Sequence, residues 1–282
     1  MTVPGGQRRG LVLLAPAVAL TTMVTTAAVG SVLLTSVGLL PLFGPATASL
    51  QGFQAAAPDL RVASRESLLI ATASTAVALV VGLTTALLLL RLAPRRRWVG
   101  APLAAVLPVP HLVGAAAMGL LLSGGGMLSR VFGVEQSAWP ELVGGPWPVA
   151  VVAEFAWKES AFVAVVVLAS TSAALPDLSD AARMLGAGAR QRLLRVTLPL
   201  AAPAAAAASL IVFLYTLGSY EVAWLLGRAY PEPLPVMAYR LYTSIDLAAR
   251  PQAAATAVTA IGLSVIAAAA TLPLIRRLGA AR

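Results

Sequence analysis

Three ionisable side chains, Glu154, Lys158 and Glu159, stand inside a stretch that is otherwise almost wholly apolar. An ionised group in such a setting is costly unless it is paired or faces water, so the trio marks either a structural ion pair or a solute pathway. Glu154 and Lys158 are four residues apart with the acid first, the favourable helical order, and are expected to satisfy each other. Glu159 then has no evident local partner and is the stronger pathway candidate, with Glu154 beside it. Tyr220 and Glu221, at the end of another apolar run, are further pathway candidates, weighed against an interfacial pair wetted by solvent. The chain has 1 His and no Cys. His111 thus stands without the further ligands a metal needs, and neither a metal nor another cofactor is expected. Gly218-Ser219-Tyr220 comes with no base to activate a serine, so no catalytic residue is expected. No glycine-rich loop ending in Gly-Lys-Ser/Thr is present, and the chain is not expected to hydrolyse ATP itself.

The elements that must carry these residues follow from the apolar runs. Only 11% of the chain is charged and 59% is hydrophobic, against roughly 25% charged in soluble domains. No Asp, Glu, Lys or Arg occurs from Leu11 to Pro58, Ser67 to Leu90, Trp98 to Ser129, Val196 to Tyr220 or Pro251 to Ile275. A bilayer core needs about 20 apolar helical residues to span it, and these runs qualify. With the interrupted run around Glu154 counted as one helix, six spans are expected, at 11–42, 67–91, 98–123, 147–173, 203–227 and 252–275, in an all-α polytopic membrane protein with a single transmembrane domain over 1–282. Pro108 and Pro110 are expected to bend or break the third span. Arg8-Arg9 and Ala46-Thr47-Ala48 imitate a signal peptide, yet the apolar run between them exceeds the about 7–15 residues of a signal core, so it is expected to remain as a span.

Lys and Arg close to span ends are retained on the cytoplasmic side. With the N-terminus inside, Arg8, Arg9, Arg91, Arg95, Arg96, Arg97, Arg183, Arg190, Arg192, Arg195, Arg276, Arg277 and Arg282 are cytoplasmic, 13 of the 20 Lys and Arg. Both termini are therefore expected in the cytoplasm, and the connections 43–66, 124–146 and 229–250 outside, as loops with short surface helices. The net charge of +9 lies between apolar runs rather than on one face with stacking aromatics, which argues against nucleic acid.

The cytoplasmic segment 176–200 reads as two short amphipathic helices around a glycine corner. Asp177 can cap the first helix, with Asp180 in the next turn. Leu178, Ala181, Ala182 and Leu185 then recur at helical spacing. Gly186 and Gly188 interrupt the pattern, and a second helix is expected from about Ala189, with Arg190, Arg192 and Arg195 toward water or anionic headgroups. Periodicity alone leaves this hairpin open to a bland reading, an interfacial segment with snorkelling arginines.

Its residue pattern is more specific. Asp180-Ala181-Ala182, three residues, Gly186, nine residues, then Val196-x-Leu198-Pro199 resembles the Glu-Ala-Ala loop of binding-protein-dependent ABC importer permeases, with Asp for Glu and Val for Ile. Leu107-Pro-Val-Pro110, Gly124-Gly-Gly126 and Trp157-Lys158 also fall where MetI-like permeases carry such elements. The resemblance implies a permease subunit in the bacterial inner membrane, working with a dimer of ATPase subunits, a second permease subunit, similar or identical, and an extracytoplasmic substrate-binding protein. It assigns ATPase coupling to Asp180, Ala181, Ala182 and Gly186, with Arg183 and Leu185 as neighbours. Leu217 to Gly227 and Pro233-Leu-Pro235 resemble the branch serving polyamine, thiamine, iron(III), sulfate and phosphonate importers. A polyamine-like cation fits Glu154, Glu159 and Glu221 on electrostatic grounds. The competing reading is a membrane scaffold or channel-like protein without an ATPase.

Overall fold

Apolar runs that leave no water-facing polar backbone favour helices, since only a helix satisfies its own N–H and C=O groups within a single segment. The computed structural model describes residues 5–91 and 96–280, with the side chains of 12–90 and 100–280, and among them it holds helices and no strands. Arg95 and Arg282, and the side chains of Arg8, Arg9, Arg91, Arg96, Arg97 and Trp98, lie outside the described residues. In chain order the helices are α1 (Gly5–Ser36), α2 (Gln51–Arg91), α3 (Arg96–Val106), α4 (His111–Leu122), α5 (Met127–Val131), α6 (Val149–Thr171), α7 (Leu175–Met184), α8 (Ala189–Arg192), α9 (Leu198–Gly218), α10 (Glu221–Leu226), α11 (Leu234–Tyr242) and α12 (Arg250–Ala280). Among the described residues five helical stretches are long and apolar enough to cross a bilayer, and six if α6 and α7, bent by 63° across their break, count as one.

The chain divides into two units. The first comprises Met1–Leu60 and Met237–Thr259. There α1 buries none of its most apolar stretch against the rest of the chain, so its apolar surface is free for lipid or a partner. The N-terminal turn of α2 packs closely on that of α12, where a Cβ at Gly52 would lie 2.7 Å from the Pro251 carbonyl oxygen.

The second unit comprises Arg61–Val236 and Ala260–Arg282, and α6 is its centre, packed by α3, α4, α9 and α10. Small residues make the close approaches. Ala78, Gly82 and Ala86 recur every fourth residue on α2, and a Cβ at Gly82 would meet the Ser160 carbonyl oxygen at 2.6 Å. Ala201, Ala205, Ala208 and Val212 form the matching stripe on α9, in one buried cluster with Val163, Ala164 and Val167 of α6. Without a hydrophobic drive between helices in lipid, such small-residue seams let backbones approach and gain dispersion contact. At one end of this unit Arg228 bonds the Glu66 carboxylate at 2.9 Å and the Pro146 carbonyl at 2.7 Å, tying α2 to two loops.

Several boundaries differ from the sequence expectation. The stretch 98–123 is two helices, because Pro108 and Pro110 lack an N–H and disfavour helical backbone in the residue before them. The connection 43–66 is helical from Gln51 onward, since charged side chains outside the bilayer do not stop a helix. Asp177 is not a cap: α7 starts at Leu175 with Pro176 in its first turn and Asp177 one position later, where proline is pre-shaped for a helix start and a carboxylate complements the dipole. The second arm of the hairpin is no separate helix ahead of a span at 203. A π-helical turn, Leu193–Thr197, joins α8 directly to α9.

Candidate functional site

The proline break that ends α3 also places His111. Pro110 is extended, with φ −61° and ψ 142°, and His111 is the first residue of α4. From there the imidazole lies against α6. Its Nδ1 is 3.1 Å from Oε1 of Glu154 and its Nε2 is 3.3 Å from Oε1 of Glu159. His111, which the sequence leaves standing alone, thus lies between two carboxylates, and the expectation that Glu159 lacks a partner is overturned. Among the described residues Glu154 pairs with His111 and not with Lys158. The i,i+4 rule describes a lone helix surface, whereas Glu154 is wholly buried and takes its hydrogen bond from the neighbouring helix.

Gly114, three residues on from His111, makes room for this contact: a Cβ there would lie 2.7 Å from Oε1 of Glu154. Aromatic rings close the sides. Tyr215 of α9 is 4.9 Å from the imidazole centroid and Phe155 of α6 is 5.6 Å from it. Phe155 is buried, while Tyr215 is 44% exposed and lies within the electrostatic reach of Glu159, Glu221 and Glu154. Both nitrogens of the ring face carboxylate oxygens, yet a neutral imidazole has one N–H. The three groups must share two hydrogens, as an imidazolium between two carboxylates or as a neutral ring with one protonated carboxyl. Among the described residues no group of three His, Cys, Asp or Glu has the geometry to hold a metal ion.

Of the other pathway candidates, Tyr220 and Glu221 mark the break between α9 and α10. Tyr220 stacks with Trp224 at 6.0 Å between centroids, and Glu221 is exposed in the first turn of α10. Sequence reasoning missed His111 as the hub and Tyr215 as its neighbour. The only local signal for His111 was its place after a proline break at the head of a helix.

The second feature is the hairpin tip. α7 ends at Met184, and the Gly186 N–H bonds the Arg183 carbonyl while the Ala187 N–H bonds that of Ala182. Gly186 has φ +82°, a left-handed turn that glycine adopts without the Cβ penalty. Met184 and Leu185 are each 89% exposed, and Asp180, Ala181 and Arg183 are exposed with them, Ala182 being half-buried.

The family of binding-protein-dependent transport system inner membrane components matches residues 98–279, a range that holds both features. No curated protein sequence matches the chain. Among solved structures, a bacterial ABC transporter involved in the import of the acidic polysaccharide alginate superposes with a TM-score of 0.70 at 19% identity, over 94% of this chain and 96% of that one. The bacterial alginate ABC transporter in complex with an alginate pentasaccharide-bound periplasmic protein gives 0.75 at 17% identity, over 97% of each chain. An inward-facing MetNI methionine ABC transporter gives 0.56 at 19% identity, over 76% of this chain and 93% of that one. At these identities the likeness is one of fold, whereas the family match spans more than half of the sequence. The chain therefore belongs to the binding-protein-dependent transport system inner membrane components.

Proposed function

We propose that this chain is the permease subunit of an ATP-driven ABC importer and that the hairpin 176–200 couples it to a cytoplasmic ATPase. The observation that carries the coupling is the hairpin tip, with Met184 and Leu185 each 89% exposed beside a Gly186 at φ +82°. Exposed apolar side chains on a short, sharply ended helix suit a partner surface better than water. The family's description names a binding protein as the system's other component, and the solved relatives are named as ABC transporters. The assembly is thus read as two permease subunits, two ATPase subunits and an extracytoplasmic binding protein. The solute pathway is assigned to Glu154, Glu159, Tyr220 and Glu221. Three carboxylates among four residues favour a small cationic solute, read here as polyamine-like with thiamine or iron(III) as alternatives, over an anion such as sulfate or phosphonate.

Substitution of Gly186 tests the coupling. Gly186→Val forces a β-branched residue toward positive φ, which it resists, while Gly186→Asn keeps a residue that tolerates that turn. No atom lies within 4 Å of a Cβ at this position, so neither change crowds the chain itself. Gly186→Val should insert normally and lose ATPase in a detergent pull-down, with loss of solute-stimulated ATP turnover in proteoliposomes containing the binding protein. Gly186→Asn should keep most of both. Full association and turnover in Gly186→Val would remove the coupling assignment, and an intact chain that never copurifies with an ATPase would favour the scaffold reading.

A further inference from the structure

Resting on the reading of this chain as a permease for a cationic solute, we propose that His111 is a specificity-determining residue of the pathway. Its imidazole holds the two carboxylates that a solute must take over, so that only a cation able to engage Glu154 and Glu159 together displaces it. Five observations lead there. The two carboxylates come from one helix, α6, while the group between them comes from another, α4, and bonds both through opposite ring nitrogens at 3.1 and 3.3 Å. Whichever way their two hydrogens are distributed, the imidazole and the two carboxyls carry one net negative charge. Lys158 acts on the imidazole only at a distance and forms no ion pair with either carboxylate. The cluster therefore accepts a cation in exchange for His111 with less electrostatic cost than it accepts an anion or an empty position.

Glu154 is fully buried within a span, where a carboxylate needs a partner at every stage of a transport cycle. Exchange between the imidazole and a solute cation meets that need, whereas simple withdrawal of His111 does not. The rings of Tyr215 and Phe155 flank the imidazole at 4.9 and 5.6 Å, and aromatic faces attract cations generally. Of the two rings Tyr215 is the exposed one. Finally, His111 begins α4 immediately after the 107–110 break, so the imidazole can move with α4 while both glutamates stay on α6.

The test is initial-rate uptake of radiolabelled spermidine, over a range of concentrations, in cells whose own copy of this chain is deleted and replaced by wild type or a variant at matched membrane levels. His111→Gln removes the ring that competes for both carboxylates and should lower KM about tenfold, the scale of one charge-assisted hydrogen bond, and lower kcat as release slows. His111→Lys keeps a competing cation and should bring KM back toward wild type. Glu159→Gln should raise KM about tenfold on the same basis. Glu135→Gln, an exposed carboxylate remote in sequence from the cluster, should change neither parameter. A purely structural role for His111 would lower the amount of inserted protein or kcat and leave KM unmoved, and that pattern overturns the proposal. If wild type takes up spermidine and both KM values stay unchanged, the His111 assignment fails alone. Absence of spermidine uptake in wild type overturns the cation reading and this inference with it, while ATPase coupling, measured separately at Gly186, stands or falls by its own test.

Discussion

Gly114 and Glu154 show how much one missing Cβ governs the intramembrane cluster. A methyl at Gly114 would lie 2.7 Å from Oε1 of Glu154 and 3.3 Å from Cζ3 of Trp157. Gly114→Ala should therefore push the carboxylate off His111 and cost about 1–3 kcal/mol of stability, the usual scale of overpacking. Thermal unfolding of the detergent-solubilised protein measures the loss. Combination with Glu154→Ala should recover part of it, because the clash then has no second party, and strict additivity of the two changes would count against this account. At this scale the sequence was half legible. Glu154 and Glu159 stand out because charges inside apolar runs are costly. Their partner does not, because His111 lies 43 residues before Glu154 and no local spacing rule reaches across a proline break to another helix. The pairing of Glu154 with Lys158 was a local inference that a neighbouring helix overrode.

Helices meet in this chain through small residues, and the seam between α2 and α6 is the tightest example. A Cβ at Gly82 would approach the Ser160 carbonyl oxygen at 2.6 Å and Cβ of Val163 at 2.7 Å. Both are on or next to the backbone, so the helices themselves must part. Gly82→Val is expected to destabilise the protein by about 1–3 kcal/mol, visible as a lower midpoint in a fluorescence size-exclusion thermal series. Val265→Ala, on an exposed face of α12, should leave the midpoint unchanged. Existence of the long helices was legible because bilayer thickness demands runs of this length. Their ends were not. α2 runs on through Asp59, Arg61, Arg65 and Glu66 to begin at Gln51, and α9 begins at Leu198, because charge marks where a helix leaves the hydrocarbon, not where it stops being a helix.

For the whole molecule, the distribution of arginines makes a claim that a fusion series can check. A reporter placed after Arg282 or after Arg97 should be cytoplasmic, and one inserted in the 124–146 connection should be external. An external C-terminal reporter would break the count of six crossings. The family was legible in a single stretch, Asp180 to Pro199, because that spacing is long and the corner glycine has a backbone reason to be there. The solute was far less legible, since the carboxylates proposed here to meet it have neighbours on other helices that no local spacing reveals. One feature of the hairpin also sets its mechanics. Its first arm meets α6 at a 63° bend, which acts as a joint, but its second arm runs without a break through the Leu193–Thr197 turn into a rod of 30 residues, Ala189–Gly218, about 45 Å long at the usual helical rise. If a partner moves the tip, the continuous helix offers a direct path to Tyr215 beside the imidazole, interrupted only by the π-helical turn and Pro203, whereas the path to the glutamates on α6 passes through the bend.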